Sequence, residues 1–147
     1  MLAHCYMAKE RLLFEPVHLS APSGVPNFSW PQPLTWCINM NFSDLEKSAL
    51  RLNELYEKLE TKMYGRIWTT EELALGFVGD VGDLAKLIQA NEGVRRIDNC
   101  KAKLGHELAD CLWSIIVLAN KCGIDLEAEF SKNTRELIEH VSSQLDT

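Results

Sequence analysis

The sequence predicts an all-α fold, a bundle of four helices joined by short connections. From residue 43 onward, apolar residues recur at helical spacing in four consecutive stretches. No stretch shows the period-two alternation of a strand bounded by turn residues. All five prolines fall between residues 16 and 33, so the rest of the chain lacks the residue that most disrupts helices.

The first helix is predicted over residues 43–63. Ser43 and Glu46 have the spacing of a capping box, and Leu45, Ala49, Leu52, Leu55, Tyr56 and Leu59 form the apolar stripe. Thr69 and Glu72 make a second capping box, and Leu73, Phe77, Val81, Leu84 and Ile88 carry the second helix to about residue 90. Gly76, Gly79 and Gly82 each cost that helix about 1 kcal/mol relative to Ala, which implies that something approaches it closely.

A polar stretch, NEGVRRIDNCKAK, leads to the third helix, with Leu104, Leu108, Cys111, Leu112, Ile115, Leu118 and Ala119 on its apolar side. Lys121 and Gly123 form its stop. Asp125 then caps a fourth helix carrying Leu126, Phe130, Leu137, Ile138, Val141 and Leu145.

Residues 1–40 read differently, as a Pro-rich irregular extension that is disordered or loosely docked, ahead of a helical domain at 41–147. They carry Trp30 and Trp36, and the regular pattern begins at Met40, as if residues 1–39 preceded a shorter functional protein. Lys9, Glu10 and Arg11 interrupt the stretch that a secretory signal would keep apolar, so the expected location is cytoplasmic.

At 147 residues the chain is one domain's worth, able to bury about two thirds of its unfolded surface. Apolar residues at 46% and charged residues at 24% are the proportions of a globular protein, and no apolar run is long enough to cross a bilayer. The net charge of −6 argues against a long nucleic acid as partner. Cys5, Cys37, Cys100, Cys111 and Cys122 include no CxxC pair, and reduced thiols are expected, with Cys111 and Cys122 buried.

The most informative residues are acidic. Asp80 and Asp83 are three apart in the second helix, and Glu107 and Asp110 are three apart in the third. Residues at i and i+3 share a helical face, and each pair adjoins its helix's apolar stripe. Four carboxylates brought together and partly buried repel one another and lose hydration, and a divalent cation removes both penalties. An all-oxygen donor set fits Mg²⁺, with Mn²⁺ as a substitute, better than zinc or copper. No histidine follows any of the four at the Glu-x-x-His spacing of di-iron bundles, and His106 is expected to point elsewhere. Mg²⁺ commonly recruits phosphate oxygens, so a phosphorylated substrate follows. The bland alternative is that these pairs are solvated helix faces in a structural bundle without metal.

GFVGDVGDLAKLIQ followed by LGHELADCLWSIIVLANKCGIDLEAEF resembles the MazG-like all-α nucleoside triphosphate pyrophosphohydrolases over residues 41 to about 140. Their pattern is E-E-x-x-E, a spacer, then E-x-x-D. Here it reads Gly79-Asp80-Val81-Gly82-Asp83, the 23 residues 84–106, then Glu107-Leu108-Ala109-Asp110. The resemblance implies that Asp80, Asp83, Glu107 and Asp110 bind Mg²⁺. The implied reaction cleaves a dNTP or non-standard NTP to monophosphate and pyrophosphate, a house-cleaning activity, in a homodimer or dimer of dimers. The chain departs from the pattern in having Gly79 for the leading Glu, as the dCTP pyrophosphatase branch does, and aspartates for the other two acids. Ala90 stands where that branch has a tryptophan, so its cytosine preference is not implied.

For such a reaction Asp80 or Glu107 is the expected general base. Lys86 is the best-placed cation for the leaving pyrophosphate, with Arg95, Arg96, Lys101, Lys103, Lys132 and Arg135 as further candidates. Trp68 and Trp113 are candidates for stacking on a base. The competing function is a binding or regulatory module that kept the fold and lost hydrolysis.

Overall fold

The computed structural model describes residues 40–145, and these form four helices. They are α1 (Phe42–Tyr64), α2 (Thr70–Asn91), α3 (Cys100–Lys121) and α4 (Leu126–Leu145). No strand occurs among the described residues. The expectations for Pro16, Pro22, Pro26, Pro31, Pro33, Trp30, Trp36, Cys5 and Cys37 lie outside them.

Local chemistry sets each boundary. The cap of α1 is Asn41 rather than Ser43: the Asn41 side chain accepts the Asp44 N–H at 3.0 Å, and Asp44 accepts the Asn41 N–H at 3.4 Å. Asn caps a helix as well as Ser does, and Asp44 closes the reciprocal pair, so the helix starts one residue earlier than expected. Gly65, at φ 72°, ends α1 in a left-handed conformation that a Cβ would disfavour.

The capping box of Thr69 and Glu72 is present as the sequence predicts, with bonds of 2.9 and 3.3 Å. Arg66 adds a two-pronged contact to Glu72, 2.6 Å on each side. Gly123, at φ 68°, stops α3, and the Ile124 N–H closes back onto the Ala119 carbonyl at 2.9 Å. Asp125 caps α4 through the Ala128 N–H at 2.9 Å.

Helix α3 is the hub. Its contact with α2 is the most extensive in the bundle, α1 packs on it less closely, and α4 touches it least. Of the buried residues, Cys111, Ser114, Ile116 and Val117 lie on α3, Ala49 and Glu60 on α1, and Leu87 on α2. Cys122 is exposed, contrary to expectation, because it follows the last turn of α3 and leaves the apolar stripe.

Trp113 is a helix-to-helix anchor. Its indole N–H donates to the Ala49 carbonyl of α1 at 3.1 Å, and its ring meets Tyr56 edge to face at 5.6 Å. Lys121 adds an ion pair with Glu57 at 2.8 Å. Those contacts hold α1 against α3 with few buried aliphatic groups.

Candidate metal centre

Side-chain hydrogen bonds cross from α3 to α2. Near the start of α3, the Cys100 thiol donates to the Leu87 carbonyl at 3.3 Å. About four turns further along α3, the Ser114 hydroxyl donates to Asp80 Oδ2, also at 3.3 Å. Residues rising along one helix meet residues falling along the other, so the two run antiparallel. On α2 the span between the contacts holds Asp80 and Asp83, and on α3 it holds Glu107 and Asp110. Asp80 and Asp83 thus lie on the stretch of α2 that packs against the stretch of α3 carrying Glu107 and Asp110, and all four acids are half-buried.

Their immediate partners are more specific than the sequence reading allowed. Lys86 Nζ lies 2.6 Å from Asp83 Oδ1; the lysine side chain is 59% exposed and the aspartate 20%. His106 corrects its expectation: it faces Asp110, with Nε2 and Oδ2 3.2 Å apart and both atoms buried. Four residues make one helical turn, so the histidine one turn before Asp110 shares its face. Ser114, 6% exposed, lies one turn after Asp110 and reaches Asp80. The i±4 spacing from Asp110 is the signal by which both could have been found.

The donor chemistry fits a hard divalent cation: four carboxylates, half-buried, with no thiolate among them. As placed, however, Asp80 faces Ser114, Asp83 faces Lys86 and Asp110 faces His106. No group of three or more His, Cys, Asp or Glu side chains among the described residues is positioned to hold a metal. Binding one requires Asp83 to exchange Lys86, and Asp110 to exchange His106, for the cation.

The other expected site residues are spread more widely. Lys103 is half-buried in the second turn of α3, whereas Arg95, Arg96 and Lys101 are exposed. Lys132 and Arg135 are exposed on α4. Trp68 donates its backbone N–H to Glu60 at 2.9 Å, and its ring lies 3.7 Å from where a Cβ on Gly76 would stand. A Cβ on Gly79 or Gly82 would meet nothing within 4 Å among the described residues, so none of these makes the close approach expected at these two glycines.

Glu60 had no sequence signal, since a charged residue in an amphipathic helix normally reads as solvated. It is 7% exposed, and burial pushes its carboxyl above the usual range, against the opposing effect of the Trp68 N–H. Its role is to fasten the α1–α2 connection. Comparison with protein-family models, curated proteins and solved structures found no match.

Proposed function

We propose that this protein is a Mg²⁺-dependent nucleoside triphosphate pyrophosphohydrolase of the MazG-like kind, acting on a dNTP or non-standard NTP in the cytoplasmic nucleotide pool. The observation that supports the reading is that the stretch of α2 carrying Asp80 and Asp83 packs against the stretch of α3 carrying Glu107 and Asp110.

In this account Asp80, Asp83, Glu107 and Asp110 hold the cation. When bound, Mg²⁺ supplies neutralisation of the phosphate oxygens and a more acidic water. Asp80 or Glu107 would accept the proton of a water whose oxygen bonds to the α-phosphorus as the α–β phosphoanhydride bond breaks and pyrophosphate leaves. Lys86 leaves Asp83 and moves to the departing pyrophosphate, with Arg95, Lys103, Lys132 and Arg135 as further cations for the triphosphate. Trp68, beside the start of α2, is the candidate surface for the base.

The protein acts as a homodimer or dimer of dimers, an arrangement supported by its apolar faces. Leu75 and Val78 on α2, Leu55 and Met63 on α1, and Phe130 and Ile138 on α4 are all exposed.

A panel of nucleotides assayed with Mg²⁺ for pyrophosphate release tests the reading. Turnover of at least one triphosphate, abolished in Asp110→Asn, supports it. A second reading, a regulatory module that keeps the fold without hydrolysis, is favoured by the Lys86–Asp83 ion pair occupying part of the acid set. Mg²⁺ binding without turnover on any nucleotide would establish that alternative.

A further inference from the structure

Ser114 is out of place in its surroundings. It sits on the most buried side of α3, between Cys111 and Val117, where the neighbouring buried residues of the helix are apolar. A buried hydroxyl without a partner costs about 1–3 kcal/mol, so this position favours serine only if the hydroxyl is used. It donates across the helix interface to Asp80 Oδ2 at 3.3 Å, a distance longer than usual for a hydroxyl and a carboxylate.

The chemistry of this contact differs from that of the other pairs. Lys86 brings a positive charge to Asp83 and competes with any cation there. A serine hydroxyl is neutral: it fixes where one carboxylate oxygen points without bringing a positive charge of its own. Asp80 is also a short side chain, so its reach towards α3 depends strongly on its rotamer. Ser114, a donor to it, lies on α3, the helix that carries Glu107 and Asp110.

We propose that Ser114 is a positioning residue for the cation site, holding the Asp80 carboxylate turned towards α3 so that acids from both helices can share one divalent ion. The inference rests on the metal-site reading above and adds to it the group that sets the geometry of its α2 half. Ser114 touches neither substrate nor metal in this account and acts only through Asp80.

The test is direct titration of the full chain with Mn²⁺, following the electron paramagnetic resonance signal of the free ion, with no nucleotide present. Ser114→Ala is expected to weaken Mn²⁺ binding about tenfold, within the range for outer-shell donors to metal ligands. Ser114→Thr, which keeps the hydroxyl, should remain within about threefold of the parent. In an Asp80→Asn background, Ser114→Ala should change affinity less than about twofold, because the group it acts through is gone.

Circular dichroism in EDTA checks that each variant is folded, and Ser114→Cys, nearly isosteric with a weak donor, replaces the alanine variant if that one is not. Unchanged affinity in folded Ser114→Ala, or in Ser114→Cys where it takes the alanine variant's place, overturns the inference while leaving the metal site standing. Equal weakening in Thr and Ala, or an undiminished effect in the Asp80→Asn background, also overturns it. A parent chain that does not bind Mn²⁺ overturns both the inference and the reading beneath it.

Discussion

Asp83 cannot serve Lys86 and a cation with the same oxygen, and the exposure of the lysine decides how strongly they compete. Ion pairs between solvated side chains contribute about 0–1 kcal/mol, so removing this one should raise metal affinity by up to about fivefold. Lys86→Met is therefore expected to bind Mg²⁺ up to about five times more tightly by calorimetry, while raising the KM for the nucleotide. A fall in metal affinity would show that Lys86 organises the acids rather than opposing the ion.

Glu60 gives a pH dependence of opposite sign to that of Glu72. Burial raises the Glu60 carboxyl, so the folded state prefers it protonated. That contribution is fully present below the unfolded value and is lost as pH rises through the folded one. Glu60→Gln should therefore raise the melting temperature at pH 7, and the gain should vanish as pH approaches 4.5. Glu72, held down to about 2 by Arg66 and the Thr69 N–H, contributes above pH 4.5 and loses that contribution as pH falls towards 2. A flat difference between Glu60→Gln and the parent across pH 4–7 would contradict the assignment.

At the level of helices, the caps carry definite stability. Thr69→Ala removes the side-chain half of the α2 capping box and should cost about 1 kcal/mol in urea unfolding, with helix content otherwise kept. The four helices were legible because apolar spacing, capping residues and Gly123 all agreed on them. The cap of α1 was displaced because Asn41/Asp44 and Ser43/Glu46 offer the same chemistry two residues apart, and sequence does not rank them. The sharing of a helix by Asp80 with Asp83, and by Glu107 with Asp110, was legible from the same periodicity. Lys86 and His106 each share a helix with the acid they meet, within reach of the same spacing rule, whereas Ser114 reads as an ordinary core residue until the α2–α3 pairing is known.

The glycines of α2 are not all required by the packing of the described residues. Space at Gly79 and Gly82 is open, so alanine at either position should stabilise the isolated chain by about 1 kcal/mol through helix propensity. Loss of dimerisation or of nucleotide affinity in the same variants would identify what approaches that face.

The bundle as a whole buries little apolar surface for its size. Among the described residues, Ala49, Leu87, Cys111, Ile116 and Val117 are the buried apolar side chains, while Val78 is 66% exposed and Phe130 69%. Each large apolar side chain moved out of water contributes about 1.5–3 kcal/mol, which favours a second copy covering these faces. Sedimentation equilibrium should give twice the chain mass or more, and Phe130→Asp with Ile138→Glu should lower that mass and the melting temperature together. A monomer with an unchanged melting temperature would count against association.

Catalysis by the four acids is the central claim, and it is tested most directly by pyrophosphate release from a nucleotide panel with Mg²⁺, measured side by side for the parent and Asp110→Asn. The account predicts hydrolysis of at least one triphosphate by the parent, and a loss in Asp110→Asn of at least the ~100-fold that changes beyond the ligand shell can reach. No release from any nucleotide by a parent chain that binds Mg²⁺, or equal release by both proteins, would contradict it.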